Sequence, residues 1–208
     1  MKTKVINTLP KLHLCAGNDD LRPVMQYVQV VKTNEETILG IPGTYAVATN
    51  AHLLAWAELG TYLGNKPGDI NELNLPEHFY IHSSAWKKLT SKKVVYIEYD
   101  NGHIKTYDKT GNILDIVPVM TEDIFNDKIG RFPYYTPVIE SIKESIETKP
   151  SVNLIAFNSG LLCDLCNLFE GDLIRWFLNA NNRGQMIEYQ VLDKPALKCI
   201  IMPLIVNV

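Results

Sequence analysis

The chain has 208 residues, 46% hydrophobic and 21% charged, with a net charge of −3. This suits one large globular domain or up to two small ones, and it excludes a polycation, so any contact with nucleic acid must come from a local basic patch. No apolar stretch approaches the ~20 residues of a membrane span, and the N-terminus MKTKVINTLPK lacks the apolar core of a secretory signal, so a cytoplasmic protein without membrane contact is expected.

Along the chain, the first segment offers three strand-like runs, at 24–31 (VMQYVQVV), 37–49 and 53–58. The residues before them, LPKLHLCAGNDDLRP, leave little room for a helix, and Pro23 would end one. The run AVATNAHLLAW at 46–56 is unusual, because Thr49, Asn50 and His52 interrupt an otherwise apolar stretch. The stretch from Gly60, GTYLGNKPGDINE, reads as a linker.

In the second segment, His78 to Ile81 forms a strand, and Ser83 caps a helix through Ala85, Trp86 and Leu89. Asn101-Gly102 between alternating runs is a two-residue hairpin signal. Thr110-Gly111-Asn112 marks a further turn, and a third strand follows over 113–119. Residues 136–150 form a second linker, in which PVIESIKESIE is an amphipathic connecting helix.

The third segment has the same order. A strand at 152–157 precedes a helix capped by Asn158 or Ser159, with Leu161, Leu162, Leu165, Leu168 and Phe169 on or near one face, ending at Gly171. Three strand-like runs, DLIRWFLN, QMIEYQVL and ALKCIIMPLIV, close the chain. Each segment is thus a strand, a helix and three strands, repeated at about seventy residues, with the helix worn away in the first copy. Such units place a helix against one face of an antiparallel sheet, which gives an α+β fold.

The chain carries four cysteines; Cys163 and Cys166 form C-x-x-C inside the apolar run LLCDLCNLF, and with no second pair or nearby histidines they read as core thiols and not as a zinc site. The five histidines are dispersed, and there is no glycine-rich phosphate loop, H-E-x-x-H or G-x-S-x-G. Neither an enzyme nor a cofactor is expected.

Four stretches, in order, resemble the bacterial sliding clamp, the beta subunit of DNA polymerase III. DDLRP at 19–23 is similar to a segment before a central strand of that family, VATNAHLLA to its V-A-T-D-G-H-R-L-A, and Gly130-Arg-Phe-Pro-Tyr134 with Val138 to its G-R-F-P-D-Y and trailing valine. IAFNSGLLCDL and the closing IIMPL are similar to F-N-x-x-Y-L-x-D-x-L and V-M-P-M-R-L. The resemblance implies a DNA-clamp fold, with residues 1–135 corresponding to the middle domain and 136–208 to the second half of the last domain. A first domain and half of the third have no counterpart.

In that family the matching stretches line a cleft that receives short peptides of the polymerase, the clamp loader and repair proteins. By resemblance the cleft here comprises Met25, Thr49, Ala51, His52, Leu53 and Leu54, then Pro133 and Val138, and finally Ile200, Met202, Pro203 and Leu204. Methionine and leucine give a floor that adapts to several partners, while Thr49 and His52 can orient a peptide backbone. Read on their own, Thr49 and His52 simply close a tight turn, and the tail is a core strand. The family's cations are missing: Leu53, Pro137 and Ile205 stand where it carries arginine.

Clamps are homo-oligomeric rings that hold double-stranded DNA without reading its bases. The comparable feature here is WKKLTSKK, with Lys87, Lys88, Lys92 and Lys93 at a helix end, a pattern that also arises from an ordinary exposed face. Helix 159–169 carries no Lys or Arg. Two functions follow from the resemblance: a processivity factor or scaffold that encircles duplex DNA as an oligomer, and an adaptor or decoy that captures partner peptides without encircling DNA.

Overall fold

The structure, a computed structural model, describes residues 2–5, 8–63, 75–147, 156–169, 174–177, 185–191 and 194–203. In the first segment a two-residue strand, β1 (Thr3–Lys4), precedes β2 (Tyr27–Thr33), β3 (Gly43–Thr49) and β4 (Leu53–Glu58). β4 has the bounds its sequence suggests. β2 and β3 are shorter than expected, and prolines explain both. Pro23 opens a 3-10 turn (Pro23–Gln26), so the strand starts at Tyr27. Thr37 and Gly40 close a tight turn through reciprocal backbone bonds, and Pro42 has no N–H for a ladder, so the next strand starts at Gly43. The worn helix of this copy survives as a single 3-10 turn, Leu12–Leu14.

The second segment contains β5 (His78–His82), α1 (Ser83–Leu89), β6 (Tyr96–Asp100), β7 (His103–Tyr107) and β8 (Ile113–Pro118). The cap of α1 is His82, not Ser83: its ring accepts the Ser84 N–H at 3.3 Å. Asn101 and Gly102 both have positive φ, 47° and 77°, as a type I′ hairpin requires. β9 (Met120–Thr121) and a short helix, α2 (Glu122–Lys128), follow; neither is legible in the sequence. The amphipathic linker forms α3 (Thr136–Glu147). The third segment gives α4 (Ser159–Phe169), β10 (Ile174–Phe177), β11 (Gln185–Val191) and β12 (Lys194–Ile201). Asn158 Oδ1 accepts the Gly160 N–H at 2.8 Å and caps α4. The strand expected at 152–157 and the helix stop at Gly171 lie largely or wholly outside the described residues.

Among the described residues the strands form two antiparallel sheets. One has the order β1-β6-β7-β8, the other β10-β11-β12-β4-β3-β2-β5-β9. Strands are exchanged between segments: β5 pairs with β2 of the first, and β1 with β6 of the second. The larger sheet runs across the boundary expected at 135/136, because β12 pairs with β4.

The period of two along these strands divides the larger sheet into two apolar faces. On one face Val28, Val30, Ala55, Ala57 and Ile201 pack with Trp86 and Leu89 of α1, Leu165, Leu168 and Phe169 of α4, and Ile97, Ile104 and Val117 of the smaller sheet. The Trp86 indole also donates to the Pro10 carbonyl at 2.9 Å, which ties the N-terminal segment to α1. On the opposite face Val47, Leu54, Trp56 and Ile200 pack against Ile139 and Ile142 of α3. The helices of the repeated units thus share one side, and the linker helix covers the other.

The cysteines differ from expectation. Cys163 and Cys166 are exposed, because α4 turns Leu165, Leu168 and Phe169 inward and positions 163 and 166 fall on the outer side. The buried thiols are Cys15 and Cys199. The Cys15 thiol is pushed well above its ordinary pKa by its hydrogen bond with Cys199 and by burial, so it stays protonated.

Candidate functional site

The polar interruption in AVATNAHLLAW builds a turn. Thr49 pairs with Leu54 across the β3–β4 hairpin. The Thr49 hydroxyl donates to the Leu53 carbonyl at 2.8 Å and accepts the Ala51 N–H at 3.2 Å. Asn50 Oδ1 accepts the N–H groups of His52 and Leu53, at 3.0 and 2.7 Å. Thr49 and Asn50 therefore satisfy backbone groups that a four-residue turn leaves without partners. The Thr49 hydrogen is spent within the turn, so its role toward a ligand is reduced to its oxygen. The His52 side chain is exposed.

The C-terminal strand is brought to this turn by pairing. Ile200 lies opposite Leu54 and Ile201 opposite Leu53, and the Met202 N–H donates to the His52 carbonyl at 2.9 Å. The third wall is the stretch after α2. Gly130 takes a φ of 122°, open to glycine, and its N–H bonds the Phe125 carbonyl. Phe132 packs its ring against Tyr80 and Tyr135, at centroid distances of 5.9 and 6.4 Å. The Tyr135 carbonyl accepts from Val138 and Ile139 and starts α3. Met25 sits in the 3-10 turn before β2, held by the Gly17 N–H donating to its carbonyl at 2.8 Å.

These walls enclose a cavity of about 200 Å³. Met25, Thr49, Ala51, His52, Leu53 and Leu54 line one part of it, and Pro133, Val138, Ile200 and Met202 the rest. Pro203, half-buried, is not among the lining residues, and Leu204 lies outside the described residues. Tyr134 and Tyr135 also line the cavity and were not anticipated. Two tyrosines after the Phe-Pro pair were the available signal, since aromatics are favoured where a surface binds another molecule. Burial, with Tyr80 adding to it, pushes the Tyr135 phenol to about 12, so it is a neutral donor. Val138 and Met202 are exposed apolar groups at the rim, and Tyr134 is 78% exposed. A volume below the usual 300–1,000 Å³ of small-molecule sites fits one or two apolar side chains of a longer ligand.

Beyond the 130–135 stretch, on the same sheet face, lies a polar cavity of about 370 Å³. Glu122 meets His78 Nδ1 at 2.9 Å, and His78 Nε2 lies 2.7 Å from the amide of Gln29. Asn126, Arg131 and Phe132 complete its lining. Nothing in the sequence reading pointed to this group.

Lys87 and Lys88 occupy the last turn of α1, and Lys92 and Lys93 the turn after it; all four are exposed. Lys88 pairs with Asp115 at 3.0 Å. His13 stands nearby, lowered to about 4 by burial and then by Lys87 and Lys11. Because Trp86 and Leu89 of α1 pack on the sheet face opposite α3, the lysines and the apolar cavity belong to opposite sides of the larger sheet. Among the described residues no cluster of His, Cys, Asp and Glu could hold a metal ion, and no helix is long and apolar enough to cross a membrane.

No family model and no curated protein matches the sequence. Solved structures do match. The beta subunit of DNA polymerase from Streptococcus pyogenes superimposes with a TM-score of 0.60 at 12% identity, over 97% of this chain and 65% of that one. The fold is that of a bacterial sliding clamp. The C. crescentus beta sliding clamp, solved with PEG bound, gives 0.58 at 15% identity over 98% of this chain, and the DNA polymerase sliding clamp of Bacillus subtilis 0.56 at 14% over 100%. The chain spans about 65% of the length of each of these clamps. It is thus a shortened version of the clamp fold, built from the same antiparallel sheets with helices against them.

Proposed function

We propose that this chain is a sliding-clamp-like replication factor that performs no chemistry itself and holds a short peptide of a DNA polymerase or another replication or repair protein. Residues 1–135 act as the counterpart of a clamp's middle domain and 136–208 as half of its last domain. The observation that carries the reading is the joining of three distant stretches, the turn at 49–54, the loop at 133–138 and the strand end at 200–202, around one apolar cavity. An apolar floor with exposed Met202, Val138 and Tyr134 at its rim suits the anchoring side chains of a peptide. As a homo-oligomer, the protein would encircle duplex DNA, with Lys87, Lys92 and Lys93 facing phosphates.

The adaptor or decoy reading is favoured by the weak basic character of the helical side. Asp115 neutralises Lys88, and α4 carries no Lys or Arg. The two readings share the cleft and differ over DNA.

The test is titration of a fluorescent clamp-binding peptide. The wild-type protein binds it, and the double substitution Met202→Ala with His52→Ala weakens it at least about fivefold, because removing two side chains that line the cavity costs more than about 1 kcal/mol. An unchanged affinity removes the cleft from the proposal.

A further inference from the structure

Gln29, His78 and Tyr80 put polar groups on a sheet face that is otherwise apolar. Gln29 of β2 lies opposite Tyr80 of β5, and the period of two sets His78 on the same side, while Val28, Phe79 and Ile81 turn to the face covered by α1 and α4. α2 brings the rest. Phe125 is fully buried and stacks on the Tyr80 ring at 3.7 Å, which fixes this short helix on the sheet. Glu122 and Asn126, four residues apart on one helical face, then line the polar cavity of about 370 Å³. Its volume lies within the range of small-molecule sites.

The hydrogen bonds of this group are incomplete at one defined atom. His78 Nδ1 donates to Glu122 Oε2 at 2.9 Å, which leaves Nε2 to accept from Gln29 Nε2 at 2.7 Å. The second amide hydrogen of Gln29 goes to the Tyr80 oxygen at 3.2 Å. Gln29 Oε1 is left without a partner in a side chain only 6% exposed. Leucine or methionine would fill this position with no such penalty, so the orphaned acceptor marks where a ligand brings a donor. Among the described residues the side chains of Arg131 and Asn126 have no partner, and Glu122 Oε1 is also open. The cavity thus holds a free cation, an anion with one open oxygen and a buried acceptor, beside the half-buried ring of Phe132.

We propose that this cavity binds a free α-amino acid with an apolar or aromatic side chain. The carboxylate meets Arg131 and the Asn126 amide, the ammonium donates to Gln29 Oε1 and Glu122 Oε1, and the side chain lies against Phe132. A simple anion such as sulfate satisfies Arg131 but brings no donor to Gln29, and an amine leaves Arg131 unpaired. A zwitterion engages both poles. The site is separate from the apolar cleft and does not rest on peptide binding.

Isothermal titration calorimetry of the full chain with L-phenylalanine gives saturable one-to-one binding with a Kd at or below about 1 mM. N-acetyl-L-phenylalanine lacks the ammonium, as the last residue of a peptide does, and phenethylamine lacks the carboxylate. Each binds at least about tenfold more weakly. Arg131→Gln and Glu122→Gln, both at exposed positions, each weaken L-phenylalanine at least about tenfold with an unchanged circular dichroism spectrum. Lys128→Gln, on α2 but outside the lining, leaves the affinity as it is. Neither heat nor thermal stabilisation with L-phenylalanine and with L-leucine up to about 10 mM overturns the proposal. Equal affinity for the N-acetylated or the decarboxylated compound also overturns it. Should Glu122→Gln disturb the fold through its contact with His78, an unchanged affinity in Arg131→Gln is sufficient to overturn it.

Discussion

Ala51 holds a φ of 73° in the turn between β3 and β4, a region that costs a side-chain-bearing residue about 1–2 kcal/mol. The turn persists because the Thr49 hydroxyl and the Asn50 carboxamide bond four backbone groups around it. Ala51→Gly relieves this strain, partly offset by a more flexible unfolded chain, and is expected to stabilise the protein by up to about 1 kcal/mol in urea denaturation. A loss of stability would show that the alanine methyl makes a contact worth more than the strain. The V-A-T-D-G-H-R-L-A stretch that VATNAHLLA resembles carries glycine at this position, and the positive φ gives that difference a physical meaning.

At the scale of elements, α3 determines whether the cleft has a wall. Its amphipathic pattern buries Ile139 completely and Ile142 almost so against Val47, Leu54 and Trp56, while Val138, the residue before Ile139, is left at the rim. Ile139→Ala is expected to cost about 2–5 kcal/mol and to loosen peptide binding as the wall shifts, read by denaturation and by the same titration. α3 and β4 were legible because enough apolar residues recur at a regular period. α2 was not, since Phe125 is its single buried residue, and β1 and β9 are too short to show any period. The exposure of Cys163 and Cys166 was missed for a different reason: within LLCDLCNLF nearly every position is apolar, so hydropathy alone does not say which face turns inward.

The whole molecule separates two surfaces by the thickness of a sheet, with the apolar cavity on the α3 side and the lysines of α1 on the other. If the lysine side meets duplex DNA, binding falls steeply with salt, and replacing Lys87, Lys92 and Lys93 by alanine lowers the slope of log affinity against log salt by about 2 to 3. A ring is retained on circular DNA and slides from linear DNA, whereas a simple phosphate binder treats the two alike. Equal behaviour on both forms, or no salt-dependent binding, favours the adaptor reading.

The sequence by itself determined the strand-helix-three-strand order of the second segment, the hairpin at Asn101-Gly102, the bounds of β4 and the residue types that the cavity uses, because these depend on local backbone preference and on the spacing of apolar side chains. Tertiary structure decided what lies beside what. Residues 49–54 and 200–202 are adjacent because the free edges of β4 and β12 bond to each other, a pairing between strands some 140 residues apart that no local pattern encodes. It also decided that Tyr134 and Tyr135 reach the cavity, since the direction of a loop side chain depends on the packing of Phe132 and the start of α3.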